Sequence, residues 1–370
     1  MKIKCHERGM NNMENDSKRM IHPGKYLNEL LEQERMTQKE LSIRTGMTEK
    51  HVSTIINGKK NISAAFAKKL EYALPKPMSY WMKLQAQYDN DVLDYEEKHG
   101  ISKEELKIAS ELKVIVDFLQ DKNIIDVGLN DAETILQLRK YMRVSSLTVI
   151  PEISYNAAYR AQVNNNVNVN PYILYAWKRI CEMYVSGIDI TSSLDIKKLE
   201  SKLQDIKELM FLDINVIEEK LTLLLAECGI AFKIVPHFRG APVQGFISKR
   251  EDEKLMLCVT LRQKRADKFW FTLFHELGHI INGDADLKFV DFDSVKNEAE
   301  EKADLFAGNA LINASDYKAF WSNGDFSLST IKGFARSQKV KPYIVIGRLQ
   351  TEGELEWSDY SGEMIYYDWA

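Results

Sequence analysis

The chain has 370 residues, 45% of them hydrophobic and 28% charged, with a formal net charge of −4. That length accommodates two or three domains, each burying its own core, and the composition is that of an ordinary soluble globular protein. No apolar run approaches the roughly 20 residues of a membrane span, and the four cysteines lie far apart without a C-x-x-C pair, so neither a disulfide framework nor a cysteine zinc site is indicated and the cytoplasm fits.

Residues 1–16 are polar, lack a signal-peptide core and read as a disordered leader. Residues 17–88 hold 13 Lys and Arg against 6 Asp and Glu, a net of +7 that leaves −11 for the remainder. A basic module on an acidic body places any nucleic-acid contact in the N-terminal part. His22-Pro23-Gly24 opens a first helix with Tyr26, Leu27, Leu30 and Leu31 at helical spacing. Thr37 caps a second, with Glu40 closing a capping box, Leu41 and Ile43 as its apolar residues, and Gly46 as a left-handed stop. Thr48 caps a third, in which Val52, Ile55 and Ile56 face inward, and Ser63 starts a fourth through Phe66, Ala67, Leu70 and Leu74. Two short helices joined by a glycine-containing turn make a helix-turn-helix over 17–90. Its second helix enters the major groove, so Glu49, Lys50, Ser53 and Thr54 are the candidates for base contact. Gln38, Lys59 and Lys60 are placed for phosphates, which position without specifying sequence. The competing reading is a four- or five-helix protein-binding bundle; the basic balance and the cap spacing tell against it.

The matching residues His22-Pro23-Gly24, Thr37-Gln38-x-Glu40-Leu41, Ile55-Ile56-Asn57-Gly58-Lys59 and Trp81-x-x-Leu84-Gln85-x-x-Tyr88-Asp89 resemble the HigA-type antitoxins of the Xre-like helix-turn-helix group. The resemblance implies a homodimer on inverted repeats of double-stranded operator DNA and makes autoregulation an expectation.

From Asp91 to Gly100 the chain turns acidic, as a linker or as an extension of the last helix. Leu106, Ile108, Leu112, Ile115, Val116 and Leu119, then Ala132 to Met142, carry helical patterning; the asparagine-rich run 163–171 is a loop. Helices follow at 172–183, 195–210 and 214–227. The block 91–210 is most simply a helical connector, with a sensor pocket as the sharper alternative. Strand patterning begins at Ile230, with runs at 232–235, 240–247 and 254–261. His237 is an ordinary loop residue or an oxyanion stabiliser.

Phe271-Thr272-Leu273-Phe274-His275-Glu276-Leu277-Gly278-His279-Ile280-Ile281 has the form H-E-x-x-H in an apolar frame. On a helix, His275 and His279 lie on one face and can present two imidazoles to a zinc ion, with Glu276 beside the metal-bound water as general base. Burying these groups without partners would cost several kcal/mol. The third ligand should come from 297–307, where Glu300, Ala303, Asp304 and Ala307 share a face and the alanines allow close approach. Glu298 pairs with Lys302 at i+4 and Glu301 shares a face with Leu305. Glu300 is therefore assigned as ligand and Asp304 as acceptor for a histidine N–H.

His275-Glu276-Leu277-Gly278-His279, Glu300-x-x-Ala303-Asp304-x-Phe306-Ala307 and the lead-in Leu261-Arg262…Asp267-Lys268-Phe269-Trp270-Phe271 resemble the ImmA/IrrE metallopeptidases over roughly 215–345. The usual Leu-Leu-Met-Pro after the second helix is here Ala310-Leu311-Ile312-Asn313. The resemblance implies a gluzincin-like zinc peptidase acting on a helix-turn-helix repressor or a toxin–antitoxin component. The expected fold is α+β and mostly α: a helix-turn-helix bundle over 17–90, a helical connector over 91–210, a zinc peptidase domain with a small sheet over 211–350 and a tail over 351–370. The expected function is a DNA-binding regulator carrying a zinc-dependent endopeptidase. The rival is a repressor or antitoxin whose metal site is structural or sensory.

Overall fold

The structure is a computed structural model that describes residues 20–154, 169–250, 252, 254–283 and 298–367. The leader expected over 1–16, residues 163–168 of the asparagine-rich loop, Asn297 and the last three residues of the tail lie outside the described residues. The described chain is mostly helical with one three-stranded sheet, and it divides into two compact units, the first ending at Lys103 and the second beginning at Glu104. No helix among the described residues is long and apolar enough to cross a membrane.

The first unit contains α1 (Pro23–Gln33), α2 (Gln38–Thr45), α3 (Glu49–Ile56), α4 (Ala64–Ala73) and α5 (Met78–His99). The first four starts each have a local cause. His22 Nδ1 accepts from the Gly24 amide and Pro23 occupies the first turn, where its missing N–H costs nothing. The hydroxyls of Thr37, Thr48 and Ser63 accept from the third amide of their helices. Glu40 departs from the expected capping box: its carboxylate pairs with Arg44 at 2.6 Å, one turn on. Gly46 ends α2 at φ 62°, and Gly24 lets α1 approach α3, since a Cβ there would lie 1.9 Å from the Ile55 carbonyl oxygen. Leu27, Leu41, Val52, Ile55, Phe66, Leu70 and Trp81 form the core, whereas Ile43, expected in the apolar set, is 74% exposed and Ile56 only half-buried. The acidic stretch after Asp91 continues α5 rather than forming a linker. The Gln85 side chain is buried because its oxygen accepts from the Ile62 amide (2.8 Å) and its nitrogen donates to Asp89 (2.8 Å).

The second unit opens with α6 (Lys103–Glu111), α7 (Lys113–Asp121) and α8 (Asp131–Met142), followed by α9 (Ile150–Ser154), α10 (Pro171–Ser186), α11 (Ile196–Glu208) and α12 (Ile214–Ala226). Leu106 is 40% exposed, and its neighbour Glu105 is buried in its place. Burial pushes the Glu105 carboxyl upward, but the Arg139 guanidinium, the Leu147 amide and the Ser146 hydroxyl together hold it below the usual glutamate range. A depressed folded-state value means that the stabilisation is complete above about pH 4.3, the ordinary glutamate value, and is lost as pH falls through the folded one. Glu105→Ala is expected to destabilise this unit by about 3–5 kcal/mol by stranding Arg139, as measured by urea unfolding at neutral pH.

Strands β1 (Ile230–Val235), β2 (Gly245–Lys249) and β3 (Leu255–Thr260) then form a sheet in the order β1-β3-β2. β1 is parallel and β2 antiparallel to β3, with Gly245 opposite Val259 and Lys249 opposite Leu255. Every residue of β3 is buried, as expected of a central strand covered on both faces. Ile230, Phe232, Ile234, Leu257 and Val259 join the main core, and on the other face Phe246 meets Trp177 of α10 edge-on at 5.5 Å. The remaining helices are α13 (Ala266–Asn282), α14 (Glu298–Leu311), α15 (Ala314–Asn323), α16 (Leu328–Ser337) and α17 (Pro342–Glu352). Asn313, the departure from the usual proline, caps α15 by accepting from the Ser315 and Asp316 amides.

Candidate metal centre and nucleic-acid module

The apolar frame around the H-E-x-x-H motif makes α13 a buried helix: Leu273, Phe274, Leu277 and Ile280 lie in the core, while Phe271 is 37% exposed. Its first turn is pinned by Asp267, which takes both arms of Arg265 at 2.9 Å; Arg265 also donates to Gln350 at 2.8 Å. Gly283 at φ 78° ends it. One turn apart, the His275 and His279 rings stand at 76° with their Nε2 atoms 3.1 Å from each other.

α14 lies against this face. Gly278 allows the approach, since a Cβ there would be 3.3 Å from Ala303 Cα and 3.0 Å from the Phe306 ring. Ala303 and Ala307 are fully buried at the contact. Glu300 Oε2 thereby comes 3.2 Å from His275 Nε2 and 3.7 Å from His279 Nε2. Among the described residues these three side chains form the group of donors able to hold a metal, all within 4.8 Å of one another. A tetrahedral ion with bonds of about 2.0–2.1 Å sets ligand atoms about 3.3–3.4 Å apart, so the spacing fits. The protonation logic fits as well. Asp304 Oδ1 lies 2.8 Å from His275 Nδ1, so that nitrogen donates and the Nε2 lone pair points into the cluster.

Glu276 is fully buried beside these groups. The start of β2 accommodates it: a Cβ on Gly245 would lie 2.0 Å from Glu276 Oε1 and 2.5 Å from its Cγ. Gly245 escaped the sequence reading, its signal being only a glycine opening a strand. Thr272 Oγ1 donates to the Gln244 side-chain oxygen (3.0 Å), tying the same strand end to α13. A cavity of about 270 Å³, lined by Phe271, Gly308, Leu311 and Ile344 among others, reaches the metal centre's residues only at Asp304. Glu298 pairs with Lys302 at 2.7 Å on the exposed side of α14, and Glu301 is exposed. His237 lies on the β1–β2 connection, exposed as a whole residue; partial desolvation of its ring, and then the nearby Arg262, push its pKa down.

In the first unit, Glu49, Lys50, Lys59 and Lys60 are exposed, and Gln38, Ser53 and Thr54 half-buried. Thr54 Oγ1 donates to the His51 carbonyl (2.8 Å), whereas Ser53 Oγ accepts from Asn57 (3.2 Å) and keeps its own proton for a partner. His51, also missed from sequence, lies on the same helix against Phe66 and 3.4 Å from Lys60 Nζ. Burial, then Lys60 and Lys69, push its pKa down.

Comparison with known proteins agrees with both modules. Residues 27–81 match the helix-turn-helix family and residues 243–342 match the IrrE N-terminal-like domain, a peptidase family. Solved structures similar to the chain include an addiction module antidote protein of the HigA family from Coxiella burnetii, 30% identical, covering 22% of this chain and 90% of that one with a TM-score of 0.21. Antitoxin GraA is 28% identical over 22% of this chain and 87% of its own (TM-score 0.20). An antidote protein of a plasmid maintenance system from Nostoc punctiforme is 23% identical over 22% and 90% (TM-score 0.20). The comparison with curated proteins found no match. The chain thus carries an Xre-like helix-turn-helix DNA-binding domain at its N-terminal end and an IrrE/ImmA-like peptidase-family domain at its C-terminal end.

Proposed function

We propose that the chain is a cytoplasmic, homodimeric DNA-binding regulator whose second unit is a zinc-dependent endopeptidase acting on a partner repressor or toxin–antitoxin component. The observation that carries this is the convergence of His275 Nε2, His279 Nε2 and Glu300 Oε2, with Asp304 behind one ligand and Glu276 buried beside them. His275, His279 and Glu300 hold the ion, and Asp304 fixes the ring of His275. When bound, zinc polarises a scissile carbonyl and acidifies a water. Glu276 takes the proton of the attacking water and delivers it to the leaving amine. β2 is an edge strand, so an extended peptide can pair with its backbone, and its Gly245 end brings that peptide to Glu276.

The rival reading keeps the metal as a structural or sensory group. A structural site needs no general base, and the closely fitted carboxylate of Glu276 favours catalysis. The ligand assignment is tested by metal analysis of purified variants. Glu300→Ala is expected to lose bound zinc, Glu298→Ala to retain it, and Asp304→Ala to lower affinity or activity by about 10–100-fold. Full zinc in the Glu300 variant would move the third ligand elsewhere.

On the DNA side, Lys59→Ala is expected to weaken every sequence alike and reduce the salt slope of log K by about one, whereas Lys50→Ala and Ser53→Ala relax preference at particular base pairs. Gel shifts against DNA upstream of the protein's own operon, at several salt concentrations, check this. A slope unchanged in the Lys59 variant removes that residue from the phosphate contacts.

A further inference from the structure

The cavity that reaches the metal centre at Asp304 lies wholly within the second unit, between α13, the second half of α14 and α17. Phe271, Gly308, Leu311, Ile312 and Ile344 give it an apolar wall. Its size selects a class of occupant. About 150 Å³ lined by apolar side chains suffices for one benzene molecule, whereas small-molecule sites run from about 300 to 1,000 Å³. At about 270 Å³ the cavity holds one large side chain rather than a whole metabolite. Charge narrows the class further. Asp267, Asp304 and Glu352 stand in the wall with Lys268 and Arg348, so an acidic side chain would enter among three carboxylates.

A second, independent observation lies in the same wall. Arg348 Nη1 is buried and has no hydrogen-bond partner among the described residues, although buried polar groups are ordinarily satisfied. The rest of the guanidinium is fixed: Nε pairs with Glu352 at 2.9 Å, and the group lies over the Tyr317 ring of α15, 3.6 Å from its centroid. Tyr317 itself donates to Glu352. Gly308 keeps bulk away from Nη1, since even a Cβ there would stand 3.8 Å from it. A rigid donor beside an apolar pocket is complementary to one amino-acid residue, with a carbonyl for the donor and a side chain for the pocket.

The distance from the metal centre follows from α13. The Phe271 ring lies 6.3 Å from that of His275, and Asp304 bonds the same histidine. An extended chain advances about 3.3 Å per residue, so a residue seated here is one of the few that flank the scissile bond. We propose that the cavity seats one large apolar side chain of the peptide substrate (leucine, methionine or phenylalanine), whose backbone carbonyl accepts from Arg348 Nη1. The word substrate rests on the peptidase reading; the seat itself does not.

Two measurements on the full chain test this. The first titrates the Glu276→Gln protein, which cannot consume the probe, with acetyl-Gly-Gly-Leu-Gly-Gly-amide and its phenylalanine, alanine and arginine counterparts. The leucine and phenylalanine peptides are expected to bind at least about tenfold more tightly than the alanine one, the lower end of what a methylene contributes in an apolar pocket. Gly308→Leu fills the cavity from α14 and replaces a mid-helix glycine by a helix former, so its melting temperature should hold or rise while this preference disappears. Arg348→Lys keeps the charge but removes Nη1, and should weaken the leucine peptide about tenfold. The second measurement maps the cut in the operon partner by mass spectrometry. A large apolar residue is expected within about three positions of the cut. Its replacement by alanine should lower kcat/KM about tenfold or more, and Gly308→Leu should show the same deficit with zinc content unchanged. Equal binding of all the peptides, tighter binding of the arginine peptide, a Gly308→Leu chain that keeps the preference, or a cut with no such residue beside it overturns the proposal. A parent chain that binds the leucine peptide as expected yet cuts nothing overturns the peptidase reading alone, and the seat stands.

Discussion

Glu276→Gln is expected to abolish cleavage of the protein substrate, by at least the roughly 10²–10⁴-fold that general acid–base catalysis supplies, while zinc content, melting temperature and DNA binding stay at parental values. The separation follows from the geometry. The three candidate donor atoms are supplied by His275, His279 and Glu300, so the isosteric amide leaves them untouched. It removes only the capacity to accept a proton at a site that is fully buried. His275→Ala serves as the opposite control, since it should lose metal and activity together along with the stability that bound metal lends the fold. The assay takes the operon partner as substrate, with a chelator arm in parallel. A Glu276→Gln protein that regulates its target as well as the parent does would replace the peptidase by the repressor reading.

Gly245→Ala should produce nearly the same loss by a different route. The added methyl carbon would sit 2.0 Å from Glu276 Oε1, 2.4 Å from Cδ and 2.5 Å from Cγ. Swinging the carboxylate tip aside therefore does not relieve the clash; the whole side chain or the strand must move. Overpacking of this kind costs about 1–3 kcal/mol, and displacement of a catalytic group by about 1 Å costs on the order of 10²-fold in rate. Zinc should remain, because the three atoms nearest the added methyl all belong to Glu276, which is not a candidate ligand. Cleavage rate, metal content and melting temperature measured together distinguish this from simple unfolding. Parental cleavage by Gly245→Ala would show that Glu276 does not work in the position seen here.

What could be read from the amino-acid order alone was whatever depends on near neighbours. The caps at Thr37, Thr48 and Ser63, the stop at Gly46 and the shared face of His275 and His279 need only helical geometry. The spacing argument that set Glu300 apart from Glu298 also used a single helix, and the structure brings Glu300 to the histidines while Glu298 pairs with Lys302. One error was local, the Glu40 carboxylate going to Arg44 instead of closing a capping box; the others arose where a distant partner decides. Ile43 and Leu106 are apolar at helical spacing yet exposed, and the burial of Glu105 depends on Arg139 and Ser146, 34 and 41 positions away. Gly245 meets Glu276 across a strand–helix contact that no periodicity encodes.

The segment around Tyr367 has a consequence for how the second unit is made. Tyr367 is buried in the core; its amide donates to the Lys264 carbonyl at 2.7 Å and its hydroxyl accepts from Trp270 Nε1 at 2.9 Å. The Ala266 amide, at the head of α13, donates to the Ile365 carbonyl at 2.9 Å. The helix bearing both histidines is thus closed by residues about a hundred positions further on. Contacts of such separation slow folding, and the packing of α13 cannot be completed before residues 365–367 are available to it. A truncation before Ile365 would leave every candidate ligand present and the helix that aligns them incompletely packed.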